Sequence, residues 1–202
     1  WKRPADFDPG MQYNAWLDYE GDTVLKFCKM ILEQKEYANK DIQKYNPFII
    51  SCLHFVDEHY QDLAKSIGLK ALDTNGHLVL YPGSGAETYK MAYNSSSTIA
   101  ALQVISDKLL KTSANELSQK EITYLKTFQK RIPPLNFRDI DNDKVLAPAK
   151  SWERINNTEP TQLYPVFPWG IYGIGKPDLD IAQNTWNFDP DAIEFRSYVG
   201  WK

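Results

Sequence analysis

The 202-residue sequence contains no block of lysine and arginine; 23 basic residues stand against 26 acidic ones, for a net charge of −3. This excludes the basic patch or stripe by which a nucleic-acid binder is recognised. No apolar run approaches the ~20 residues of a membrane-spanning helix. There are two cysteines, Cys28 and Cys52. Both fall at apolar positions of helical patterns and read as buried free thiols, and two such residues say nothing about redox compartment. Of the three histidines, His54 and His59 are five positions apart and miss the i, i+4 spacing of a helical zinc pair. No metal site is expected. Gly170, Gly173 and Gly175 have the wrong order for a G-x-G-x-x-G turn, and Gly83-Ser84-Gly85 lacks the spacing of a nucleophile elbow. Low-complexity tracts, short-period repeats and domain linkers are also missing, so residues 1–202 read as one domain. The chain opens on Trp1 with no signal-peptide pattern. It closes on Gly200-Trp201-Lys202, after what reads as a loop leading to a helix. Both ends are expected to be cuts in a longer polypeptide.

What the chain does have is apolar and aromatic: 43% hydrophobic residues and 13% aromatics, with six Trp and twelve Tyr. That suffices for a core, and aromatic excess also suits ligands with flat apolar faces, such as sugar rings. Apolar residues at spacings of three and four predict helices. The first is expected over Pro9 to Gln34, with Tyr13, Trp16, Leu17, Val24, Phe27, Cys28 and Ile31 as its stripe. The second is expected over Asp41 to Ser66 (Tyr45, Phe48, Ile49, Cys52, Phe55, Val56), stopped by Gly68. An Asn75-Gly76 turn follows, then a strand over His77 to Tyr81 and a loop over Pro82 to Asn94. A third helix is expected over Ser97 to Leu110. A fourth begins at Ser118, where Ser118 and Glu121 match a capping box, and ends at Pro133-Pro134. Short extended pieces fill Leu135 to Ile174, and helix returns over Pro177 to Trp186 and after Pro190. The fold class is mostly α, helix hairpins with a short β-hairpin and extended loops. A long irregular segment between helices is functional or disordered as a rule, and this one is too aromatic for disorder.

Two segments carry candidate chemistry. Tyr81-Pro82-Gly83-Ser84-Gly85-Ala86-Glu87-Thr88-Tyr89-Lys90 holds one carboxylate among glycines and tyrosines. Such an acid can be kept protonated near neutral pH and serve as a general acid; equally, it can simply hydrogen-bond a nearby backbone N–H. In the second segment, Asn156, Asn157 and Glu159 precede Tyr164, Phe167, Trp169 and Tyr172. The polar residues suit sugar hydroxyls and the rings suit stacking, while an aromatic plug under a long loop explains the rings as well.

The run Leu78 to Lys90, with Asn94 and Ile99-Ala100-Ala101-Leu102 after it, resembles large bacterial carbohydrate-active proteins with a six-hairpin (α/α)6 barrel. So do Leu163-Tyr164-Pro165-Val166-Phe167-Pro168 and Tyr172 to Pro177; Met11 to Trp16 and Phe55 to Tyr60 fit the same group. The group looks like a relative of the inverting α-L-fucosidase family, in which a Glu ending a Pro-Ser-rich loop before a barrel helix acts as general acid. Glu87 falls at that place. Here Ala86 precedes the Glu where that family has a proline, and Glu159 stands in a segment that is histidine-rich there, so fucose specificity is not implied.

The resemblance implies a glycoside hydrolase-like domain, part of an (α/α)6 barrel, with Glu87 as catalytic acid. Tyr89, Asn94, Asn157, Glu159, Trp169 and Tyr172 would line the sugar site. It implies a carbohydrate substrate, no cofactor, and export to the periplasm or cell surface. The opposing carboxylate can come from hairpins outside this segment, and the remainder of the same polypeptide is an expected partner. The alternative is a non-catalytic glycan-binding or scaffold domain on the same fold.

Overall fold

The computed structural model describes residues 20–112 and 114–198, so the expected helix before Glu20 and the Gly200-Trp201 motif lie outside the described residues. Within them the protein is mostly helical: α1 (Asp22–Ala38), α2 (Asn46–Ser66), α3 (Ser96–Thr112), α4 (Gln119–Arg131), α5 (Leu179–Phe188) and α6 (Pro190–Tyr198). Local chemistry sets several ends. Pro47 sits in the first turn of α2, where its missing N–H costs nothing. Gly68 takes φ +78° just past that helix, and its N–H donates to the Lys65 carbonyl. Ser118 and Glu121 cap α4 reciprocally, as their spacing predicts.

The first four helices form two layers. Ser97 and Thr98, in the first turn of α3, donate to Asp22 in the first turn of α1, and Lys108 pairs with Glu36 near the opposite ends. These contacts make α1 and α3 parallel neighbours. In the second layer His54 stacks on Tyr124 at 3.6 Å and Arg131 pairs with Asp57, joining α2 to α4. Between the layers lies a core of Leu25, Cys28, Leu32, Ile49, Leu53, Ile99, Leu102, Ile105, Leu109, Leu125 and Phe128, all fully buried. Each such aliphatic side chain contributes about 1.5–3 kcal/mol of burial free energy.

The predicted stripes of α3 and α4 match this core. The expected stripes of α1 and α2 are buried in part: Cys28 and Ile31 on α1 and Ile49 and Val56 on α2 face the core, while the rings of Phe27, Phe48 and Phe55 do not. Leu25 and Leu32 are buried on α1 while Val24 and Phe27 are exposed; on α2, Ile50 and Leu53 are buried while Phe48 and Phe55 are exposed. Phe27 and Phe48 meet edge to face on that outer side. The rings of Phe27, Phe48 and Phe55 face outward, and aliphatic residues beside them pack inward.

The expected strand over His77 to Tyr81 does not form. The Asn75-Gly76 turn does, held by Asp73, whose carboxylate accepts from the N–H groups of Asn75 and His77. Beyond it the Leu78 N–H goes to the Arg131 carbonyl and the Leu80 N–H to the Asn94 side chain, so only an isolated bridge between Leu72 and Leu78 forms there. The sheet comes instead from the expected loop. Strands β1 (Gly83–Gly85) and β2 (Tyr89–Ala92) form an antiparallel hairpin, and β5 (Arg154–Ile155) adds on β2 with Tyr89 opposite Ile155. A separate hairpin, β3 (Phe137–Ile140) with β4 (Asp143–Leu146), packs on α5, where the Leu146 N–H donates to Thr185. No helix of the described residues is long and apolar enough to cross a membrane.

Candidate functional site

Residues 86–88 turn the β1–β2 hairpin, and Glu87 is at its tip. Ala86 takes φ +45° there, a conformation unusual for a residue with a Cβ. Two side chains hold it: Ser84 Oγ donates to the Ala86 carbonyl at 2.7 Å, and the Lys90 ammonium donates to the same oxygen at 3.2 Å. Lys90 is fully buried. Its charge is therefore fixed under the turn that carries Glu87.

The segment after β5 runs along the same hairpin. The Asn156 N–H donates to the Thr88 carbonyl and the Glu159 N–H to Thr88 Oγ1 at 3.0 Å. Asn157 then donates its side-chain amide to Glu87 Oε2 at 2.8 Å. Gly85 lets the two segments approach: a Cβ there would lie 2.8 Å from Thr161 Oγ1 and 3.4 Å from the Tyr89 ring. Glu87 and the Asn157–Glu159 segment, two separate candidates in the sequence, thus meet at one place.

The start of α1 enters the same place from another direction. Asp22, fully buried, accepts from Ser97 and from Thr98, the latter at 2.6 Å. Burial pushes its carboxyl above the ordinary value and the Glu159 charge adds to this, while the two hydroxyls and Lys26 oppose it. Glu20 is raised too, first by burial, then by the charge of Asp22 and, more weakly, by that of Glu87; Lys90 and Lys26 pull the other way. Tyr164 hydrogen-bonds Glu159, and Lys26 lies 4.8 Å over its ring. Burial raises the Tyr164 phenol first, and Glu159 and Asp22 raise it further. Four carboxyls, two ammonium groups and a neutral phenol therefore share one electrostatic neighbourhood. Burial first, and neighbouring acidic groups after it, favour the protonated forms of Glu20 and Asp22.

The other sequence candidates lie elsewhere. Tyr89 is fully buried, edge-on to Trp152 and beside Phe195, with its hydroxyl 3.5 Å from Gln162 and Asp191. It projects from a strand into packing, because the expected loop is a β-hairpin. Asn94 is a buried backbone staple: its Oδ1 accepts the Leu80 N–H and its carbonyl accepts from Asn136. Trp169 is in the main core and Tyr172 is buried with Leu146, Ile181 and Ala182. Tyr81 turns to Tyr93 and Glu153 rather than walling Glu87. Sequence reading missed Glu20, Asp22, Lys26 and Lys90. A charged residue inside a helical or strand pattern gave no sign of the neighbours the fold would bring; only the short spacing of Glu87 and Lys90 hinted at a pair.

Among the described residues no group of three or more His, Cys, Asp or Glu side chains is placed to hold a metal ion. No family model matches the chain, and no curated protein or solved structure matches it at a significant level.

Proposed function

We propose that this chain is part of a glycoside hydrolase-like domain of the six-hairpin (α/α)6 type, with Glu87 as general acid. The observation that carries the reading is the Asn157–Glu87 hydrogen bond inside a cluster of acidic groups. The amide of Asn157 fixes the orientation of the Glu87 carboxyl group at the hairpin tip. Protonating the leaving oxygen of a glycoside needs a carboxylic acid, and the sugar becomes cation-like as the bond breaks. Electrostatic stabilisation of that charge is a major source of catalysis, and Glu20, whose carboxyl feels the Glu87 charge, lies in the same neighbourhood. Glu159, held through its N–H and hydrogen-bonded by Tyr164, is the carboxylate this cluster offers to activate water. The layered hairpins α1–α2 and α3–α4 are the repeating unit such a barrel is built from, which supports the architectural part of the reading.

The test uses aryl glycosides of graded leaving-group acidity. Loss of a general acid costs ~10²–10⁴-fold in rate. The loss should be greatest for poor leaving groups and smallest for dinitrophenyl glycosides, which need no proton. A Glu87→Gln variant with an equal loss for every leaving group contradicts the assignment. Glycan binding without product release by the wild type would favour the non-catalytic domain instead.

A further inference from the structure

A second cleft of about 570 Å³ lies between the later halves of α1 and α3 and the 166–170 segment. The acidic cluster sits at the first turns of those helices; Glu33 and Asp107, which line this cleft, are eleven residues further along each, roughly 16 Å at the helical rise. Three features define it. Tyr37 and Phe167 are large exposed rings on its wall, 77% and 68% accessible. Trp169 also lines it and is 2% accessible, yet its indole Nε1–H is buried with no hydrogen-bond partner among the described residues. A buried indole N–H ordinarily finds an acceptor. Finally, the charges on the wall are paired: Lys29 with Glu33, Lys108 with Glu36 and Lys111 with Asp107. Lys176, the remaining cation, donates to the Gly170 carbonyl.

We propose that this cleft is a second binding site for a neutral oligosaccharide, separate from the Glu87 cluster. Paired charges leave little net field to select an ion, but they present donors and acceptors side by side, as hydroxyl groups require. The two rings offer flat apolar faces for the C–H faces of a pyranose. The volume is that of a small-molecule site, and Trp169, which lines it, reports on its occupancy. The inference does not rest on the hydrolase reading, because a binding domain would use the same cleft.

The test is a titration of the longest soluble form with cello-, xylo- and manno-oligosaccharides, following the indole ¹H–¹⁵N resonance of Trp169 assigned by triple resonance. The resonance is expected to move saturably with at least one series. Tyr37→Ala and Phe167→Ala, both at exposed positions, should weaken that binding at least about ten-fold, as loss of an aromatic anchor does. Glu87→Gln should leave it unchanged even where it abolishes hydrolysis, so the two proposals fail independently. No shift with any series at millimolar ligand, or a shift unaltered in both aromatic variants, overturns the site.

Discussion

The side-chain amide of Asn157 lies 2.8 Å from Glu87 Oε2, joining residues seventy positions apart. This bond aims the hairpin tip, because Glu87 is otherwise at a partly exposed turn of three residues. Asn157→Ala is expected to lower kcat/KM by about 10–100-fold through lost positioning while moving the unfolding midpoint little. Turnover and urea melts on one preparation check it; a large stability loss with unchanged specific activity would make the bond purely structural.

Gly85 is required by close approach. Ala there would drive its Cβ against Thr161 Oγ1 at 2.8 Å and against Tyr89, which is packed on both sides. Gly85→Ala is expected to destabilise by about 1–3 kcal/mol, the usual cost of overpacking. Adding Thr161→Val, which keeps the bulk, should not restore stability, whereas Thr161→Ala should recover part of it. A double-mutant cycle in urea measures the coupling.

Asp57 is nearly buried and is held by the Arg131 guanidinium and by Gln61. Arg131→Met strands that carboxylate and should cost about 3 kcal/mol. The pair replacement Asp57→Asn with Arg131→Met should cost less than the single change, since no uncompensated charge is left. Equal losses would show that the guanidinium acts through packing alone.

The layers that position the site were legible in part. Regular aliphatic spacing in α3 and the capping box of α4 were written locally, and so survived folding unchanged. The rings of Phe27, Phe48 and Phe55 misled, because hydrophobicity alone does not say which of two adjacent faces meets a neighbour. The Gly83–Gly85 strand was hidden for the opposite reason. Glycine and serine have little strand propensity, and these residues are extended because Tyr89–Ala92 and the 154–161 segment close over them. At the site, Glu87, Asn157 and Glu159 stood out as polar residues in loops. Asp22 and Lys90 did not, since each looks like an ordinary surface charge until the fold buries it.

Asp22 and Glu20 give the acidic limb a defined sign. Both carboxyls are raised, in each case chiefly by burial, so the folded state binds protons more tightly than the unfolded chain. Their contribution is fully present below the ordinary carboxylate range near about 4 and is lost as pH rises through the elevated folded values. Asp22→Asn removes its share of this slope. Urea midpoints at pH 5 and pH 7 should therefore differ more in the wild type's favour at pH 5; a gap that is independent of pH contradicts the raised value.

Burial, followed by the neighbouring Cys52, pushes the Cys28 thiol up to about 12. Thiolate is the reactive form, so at pH 8 a maleimide is expected to label Cys52, which is partly exposed, and to spare Cys28 until denaturant is added. Mass spectrometry of peptides before and after unfolding reads this directly. Rapid native labelling of Cys28 would show that the α1–α2 interface opens.

The claim that matters most is that Glu87 donates the proton in glycoside cleavage. The direct measurement is product release from a panel of aryl glycosides by the longest form of the protein, wild type beside Glu87→Gln. The account predicts release by the wild type and a ~10²–10⁴-fold loss in the variant, with folding intact and the smallest loss on the best leaving group. Near-normal turnover by Glu87→Gln on a poor leaving group would contradict it.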